Sequence, residues 1–90
     1  QAGADPHYSD PLADLMLTTQ DFERIYRRVL EIADKYAKGN ILITFGGGYS
    51  ITATTRIWTI IYHIVNGLEI PDKLPEAWRE KWREYSKDPI

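Results

Sequence analysis

From residue 19 to 38 the apolar side chains Phe22, Ile25, Tyr26, Val29, Leu30, Ala33, Tyr36 and Ala37 recur at intervals of three and four, while Glu23, Arg24, Arg27, Arg28, Glu31, Asp34 and Lys35 fill the other side. That period predicts an amphipathic helix with one face on a core. Thr18 reads as its N-cap, with Asp21 as the box partner in place of the usual Glu, and Leu17 and Phe22 stand where a hydrophobic staple would close. Lys38 and Gly39 read as its stop, so the helix is expected over about 19–38. Ile41-Leu42-Ile43-Thr44-Phe45 changes the pattern to an uncharged, β-branched run, which predicts a buried strand over about 41–45. Gly46-Gly47-Gly48 then lets the backbone turn and brings Tyr49 to an edge.

Residues 51 to 66 set propensity against period. Ile, Val or Thr occupy ten of the sixteen positions, which favours a strand. Ile57, Ile60, Ile61, Ile64 and Val65 with Trp58 nevertheless trace a helical face, sixteen residues exceed a usual strand, and Asn66-Gly67 is a C-cap signal. A helix over about 51–66 is expected, nearly apolar all round and buried on several sides. Leu68 to Leu74 reads as an extended link, and Pro75 opens a last helix over about 75–86 whose Trp78, Trp82 and Tyr85 form one aromatic face. That face either folds back on its own domain or docks on a partner. Residues 1–17, with Gly3, Pro6 and Pro11, have no sustained period and read as an ordered loop.

Ninety residues make one small domain at most, with a thin stability margin. A net charge of −2 gives no basic footprint, so neither nucleic acid nor another polyanion is an expected partner. No apolar run reaches the ~18 residues a membrane helix needs, and no signal peptide opens the chain. The absence of cysteine excludes disulfides and thiolate metal sites and fits a cytoplasmic protein. The chain starts at Gln1 with Gln-Ala-Gly-Ala-Asp and no initiator methionine, which suggests a fragment, a single partial domain over 1–90.

The glycine turn admits two readings. In parallel-sheet folds ligands sit beyond the C-terminal ends of strands, so Tyr49 is a candidate for chemistry there. Equally, it is a structural turn with a packed tyrosine. His63 reads as a packed or partly exposed side chain, because no second metal ligand stands at helical spacing from it.

Taken together, Gln1-Ala-Gly-Ala-Asp5, Asp10-Pro-Leu12, Leu17-Thr18 and Phe45-Gly-Gly-Gly-Tyr49, followed by Arg56 and Trp58, resemble the C-terminal part of the histone deacetylase superfamily. The nearest likeness is to its bacterial and archaeal acetoin utilization protein and acetylpolyamine amidohydrolase group, over nearly the whole chain to about Pro75. The resemblance implies an α/β fold, the C-terminal piece of an arginase/deacetylase-like parallel sheet with flanking helices. It also implies hydrolysis of acetyl-amides with one zinc. By resemblance Asp5 matches the last protein ligand of that zinc, and Tyr49 matches the tyrosine that hydrogen-bonds the substrate carbonyl and then the oxyanion. Leu12 matches an apolar position at the mouth of the acyl channel, Gly47 and Gly48 match glycines beside it, and Arg56 looks structural.

Ala2 and Phe45 depart from the family pattern, standing where relatives commonly have cysteine and a fourth glycine. The paired catalytic histidines and the Asp-x-His ligands of the family are expected upstream of Gln1, and His7 and His63 do not match them. The isolated fragment is therefore expected to hold no zinc and to be inactive. Its parent is expected to be a zinc-dependent deacetylase acting on acetyl-lysine, acetylpolyamine or related amides. The truncated sheet would leave edges for pairing between chains, so self-association through exposed strand edges is also expected. Two non-catalytic readings stand beside this one. The turn and the following helix N-terminus could bind an anion, although no lysine or arginine follows the glycines before Arg56. The aromatic face of the last helix could serve oligomerisation.

Overall fold

Thr18 closes a capping box: its side chain accepts from Asp21 N while the Asp21 carboxylate accepts from Thr18 N at 2.8 Å. This satisfies two donors that a helix start leaves free. Helix α1 runs from there over Thr19–Ala37 and ends with Lys38 in a left-handed conformation. The computed structural model describes residues 1–90. It continues with α2 (Ile51–Val65) and α3 (Glu76–Trp82), the last extended by a 3-10 turn over Arg83–Tyr85. The final helix is thus shorter than its period suggests and tightens before residue 86. No helix is long and apolar enough to cross a membrane.

In α2 the helical period prevails over β-branched propensity. Ile57, Ile61 and Ile64 are buried along one side, and the hydroxyls of Thr55 and Thr59 are satisfied within the helix by bonding the carbonyls of Ile51 and Thr55 at 2.8 and 2.7 Å. Thr52, Ala53 and Thr54 are buried in succession as well, so the first turn is covered on more than one side, whereas Ile51, Tyr62 and Val65 are exposed.

The expected strand over 41–45 and the parallel sheet with flanking helices are absent: the chain has three α-helices and no strand. A parallel ladder needs evenly spaced bonds along two chains. Ala2 N donates to Thr44 O at 2.8 Å, but the next bond, from Ala4 N, goes to Gly47 O at 3.0 Å, so two residues on one side face three on the other. The carbonyl between them, Gly46 O, accepts instead from the Gln1 side-chain amide. Segment 41–45 is left without a ladder. The sole bridge elsewhere is isolated, between His7 and Leu17. The truncated sheet whose edges were expected to pair between copies is therefore absent.

The core gathers Phe22 of α1 and Ala53, Ile57 and Ile61 of α2 around Ala2 and Ala4, with Leu17, Tyr26, Ile43 and Trp58 packed against them. The N-terminal segment is thus an internal element, tied further by the Trp58 indole donating to Ala2 O at 3.0 Å. Phe45 lies against Trp58 with ring centroids 4.9 Å apart. The whole is a slab with extents of 43 × 27 × 17 Å and a radius of gyration of 13.7 Å, against about 12 Å for a compact domain of this length.

Candidate functional site

Between segment 41–45 and α2 the chain must reverse in very few residues, and two glycines make that possible. Gly47 and Gly48 stand at φ +83° and +124°, where side chains are disfavoured. Space is as restrictive as torsion. A Cβ at Gly47 would lie 2.7 Å from Asp5 Oδ1, and one at Gly48 would lie 2.5 Å from Thr54 Oγ1 and 3.0 Å from Ala4 Cβ. The turn is therefore pressed against segment 2–5, and the Asp5 carboxylate lies directly over Gly47, two residues before Tyr49.

Tyr49 follows with its side chain 56% exposed, so its position derives from the backbone more than from packing. It borders a shallow hollow of about 240 Å³ that Trp82 and Tyr85 also line. Leu12 is exposed as well. Between the two lies a residue to which the sequence reading gave no role. Asp10, buried, accepts from Tyr49 N through Oδ2 at 2.8 Å and from Leu12 N and Ala13 N through Oδ1 at 2.8 and 3.1 Å. Burial pushes its carboxyl up, but the N–H groups of Tyr49, Leu12, Ala13 and Ser50 together outweigh that and hold it below its ordinary value. An aspartate directly before a proline is a turn-initiating signal that could have found it.

A second buried network supports the same turn. The His7 ring, stacked on Tyr8 at 4.6 Å, takes the Ser9 N–H on Nδ1 at 3.2 Å and meets the Ser9 hydroxyl at 2.8 Å. The Ser9 hydroxyl reaches that of Ser50, the N-cap residue of α2, at 3.3 Å. Burial lowers the His7 pKa; Asp88 and Asp10 counter this, Arg56 adds to it, and the imidazole stays below its ordinary value. The Ser9 N–H on Nδ1 places the ring proton on Nε2. His63, by contrast, bonds its own helix through Thr59 O at 2.8 Å.

Arg56 turns away from the glycine turn toward the C-terminal segment. Its Nε donates to Thr52 O at 3.1 Å and its guanidinium pairs with Asp88, the two side chains being 11% and 3% exposed. Ser86 Oγ donates to Asp88 Oδ1 at 2.8 Å and receives the Thr52 hydroxyl at 3.2 Å, so the tail is bonded to the first turn of α2. A hollow of about 860 Å³ lies between α1, α2 and the 70–75 link beside Trp78, and neither Asp5 nor Tyr49 lines it. The aromatic face expected on the last helix is thus divided: Trp78 lines this groove, whereas Trp82 and Tyr85 flank the hollow beside Tyr49.

The chain packs Asp5 against Gly47, two residues before Tyr49, and joins the backbone of Leu12 to that of Tyr49 through Asp10, while the Tyr49 side chain borders a hollow that Asp5 does not line. It does not assemble a metal centre. No group of three His, Cys, Asp or Glu side chains is placed to hold an ion. A catalytic zinc takes three protein ligands, and Asp5 offers one carboxylate.

Comparison with known proteins gives these positions a context. The chain is 35% identical over 86 residues to the acetoin utilization protein AcuC of Staphylococcus xylosus, covering 93% of this chain and 22% of that protein. It is 36% identical over 84 residues to AcuC of Bacillus subtilis (strain 168), covering 92% of this chain and 22% of the relative. A match to AcuC of Staphylococcus aureus (strain Mu50 / ATCC 700699) is 34% identical over 88 residues. The chain spans less than a quarter of the length of these relatives. The family model of the histone deacetylase domain matches residues 1–65, which include Asp5, Leu12, the glycine turn, Tyr49 and Arg56. The chain belongs to the histone deacetylase family.

Proposed function

We propose that this chain is the tyrosine-bearing part of a deacetylase site that hydrolyses acetylated amines or amides. Acetyl-lysine, acetylpolyamines and related small amides are the substrate class. The observation that carries the reading is the Asp5 carboxylate packed over Gly47, two residues from Tyr49, within the stretch the family shares. A phenol at Tyr49 can donate a hydrogen bond to an amide carbonyl and hold it more strongly as negative charge develops on that oxygen. Removing one such donor costs about 3 kcal/mol of transition-state stabilisation. The left-handed glycines before it let the turn close on Asp5, Ala4 and Thr54, where a Cβ would intrude. Leu12 supplies apolar wall for an acyl chain.

Asp5 acts as one ligand of a zinc in a longer protein that contributes the others. The 90 residues alone hold too few donors, so the isolated chain binds no zinc there and is inactive. In a protein extended to the length of the relatives, Tyr49→Phe is expected to lower kcat about a hundredfold with KM little changed. Asp5→Ala is expected to reduce the zinc retained after dialysis, read by elemental analysis. Full turnover in Tyr49→Phe, or full zinc in Asp5→Ala, overturns the corresponding assignment. The anion-binding reading is weaker, because the Tyr49 N–H that an anion would need is already engaged by the Asp10 carboxylate at 2.8 Å.

A further inference from the structure

Asp10 is buried and has no chemical role in the proposed reaction, yet it bonds two loops that the site needs in register. One carboxylate oxygen accepts from the backbone of Tyr49 at 2.8 Å, and the other accepts from Leu12 at 2.8 Å and Ala13 at 3.1 Å. The glycines of the turn are packed against segment 2–5 and Thr54, but the backbone of the loop from Gly46 to Tyr49 has few other hydrogen bonds, one of them from the Gln1 side-chain amide to Gly46 O. Gly47 and Gly48 confer little stiffness of their own, the Ala4 N–H holds Gly47 O at 3.0 Å, and α2 begins only with the bond from Thr54 N to Ser50 O at 2.8 Å. Between those anchors the Tyr49 N–H is bonded by Asp10 alone. Because the tyrosine side chain is more than half exposed, neighbouring side chains do little to direct it, and its backbone sets where the phenol stands. Leu12 is bonded to the same carboxylate by its own N–H. One side chain therefore fixes both the oxyanion donor and the apolar wall, and fixes them relative to each other.

We propose that Asp10 is a positioning residue for the Tyr49 phenol, coupling it to the channel-wall loop at Leu12; this rests on the assignment of Tyr49 to the deacetylase site. Asp10→Asn tests it with minimal change of shape. An amide has a single acceptor oxygen and an NH₂ that would face an N–H, so either Tyr49 or the Leu12–Ala13 pair loses its acceptor. In the full-length protein, assayed on a peptide carrying ε-acetyl-lysine, Asp10→Asn is expected to lower kcat ten- to hundredfold with KM within about twofold and zinc content unchanged. Added to Tyr49→Phe it is expected to cause no further loss, because a misplaced phenol and an absent hydroxyl remove the same interaction. Effects that multiply in the double variant, or an unchanged kcat in Asp10→Asn, overturn the proposal while leaving Tyr49 in place. A fully active Tyr49→Phe, or no turnover of the peptide by the unaltered protein, overturns the underlying assignment instead. Amide hydrogen exchange on the unaltered protein gives a check that no failed variant can remove: the Tyr49 N–H is expected to exchange at least tenfold more slowly than an unprotected amide, and exchange at the unprotected rate overturns the proposal.

Discussion

At Gly48 two independent restrictions coincide, a φ of +124° and a Thr54 hydroxyl 2.5 Å from where a Cβ would sit. Gly67 has only the first, with φ +64° and open space around it. Gly48→Ala should therefore destabilise the chain by about 3 kcal/mol and Gly67→Ala by about 1 kcal/mol, measured as the difference in urea unfolding at one protein concentration. Equal losses would mean that contact with Thr54 and Ala4 does not limit the turn. At this scale the sequence was informative about where the glycines had to be and silent about what they face. A run of three glycines announces a sharp reversal, but the closeness of the Asp5 carboxylate is a long-range fact that no local pattern encodes. The same holds for Asp10. Its bonds to Leu12 and Ala13 are local and follow from the Asp-Pro pair, whereas its bond to Tyr49 joins residues 39 apart.

The helices were legible because their causes lie within a few residues. The Thr18/Asp21 box and the three-and-four spacing of Phe22, Tyr26, Val29, Leu30 and Ala33 are enough to start and orient α1, and the isoleucine period of α2 outweighs its β-branched content. Segment 41–45 was not legible, since β-propensity expresses fit to a neighbouring strand, and this neighbour slips by one residue when Gln1 takes Gly46 O. The C-terminal segment is held to α2 by Arg56 and Asp88. Burial raises the Asp88 carboxyl, but the Ser86 hydroxyl and the Arg56 guanidinium outweigh this and keep it below its ordinary 3.8. With the folded pKa depressed, the stabilisation is complete above 3.8 and is lost as pH falls through the lower folded value. Detachment of the tail in acid should appear as faster amide exchange around Ser86, beginning only below pH 3.8. Asp88→Ala leaves the guanidinium buried without its partner and should cost about 3 kcal/mol at neutral pH. An acid limb unchanged in that variant would assign the transition to other carboxylates.

The molecule as a whole exposes 6417 Å², where a compact monomer of this size would expose roughly 5,400 Å². Leu12, Met16, Tyr36 and Leu42 are 68%, 76%, 75% and 86% exposed, so much of the excess is apolar. The isolated chain should self-associate through these side chains rather than through backbone pairing, and light scattering at high micromolar concentration should give a mass above that of one chain. A monomeric mass there would show that a slab this thin is soluble without cover.

The burial of Ala2 and Ala4, each 1% exposed, also orders events during synthesis. The core they enter includes Ile57 and Ile61, and the carbonyl of Ala2 meets the indole of Trp58 across 56 positions of sequence. Of these ninety residues, those synthesised earliest are thus among the last to find all their partners. Until α2 has cleared the exit tunnel, α1 can form on its own cap, but the alanines lack the α2 side of their core and remain open to chaperones and proteases.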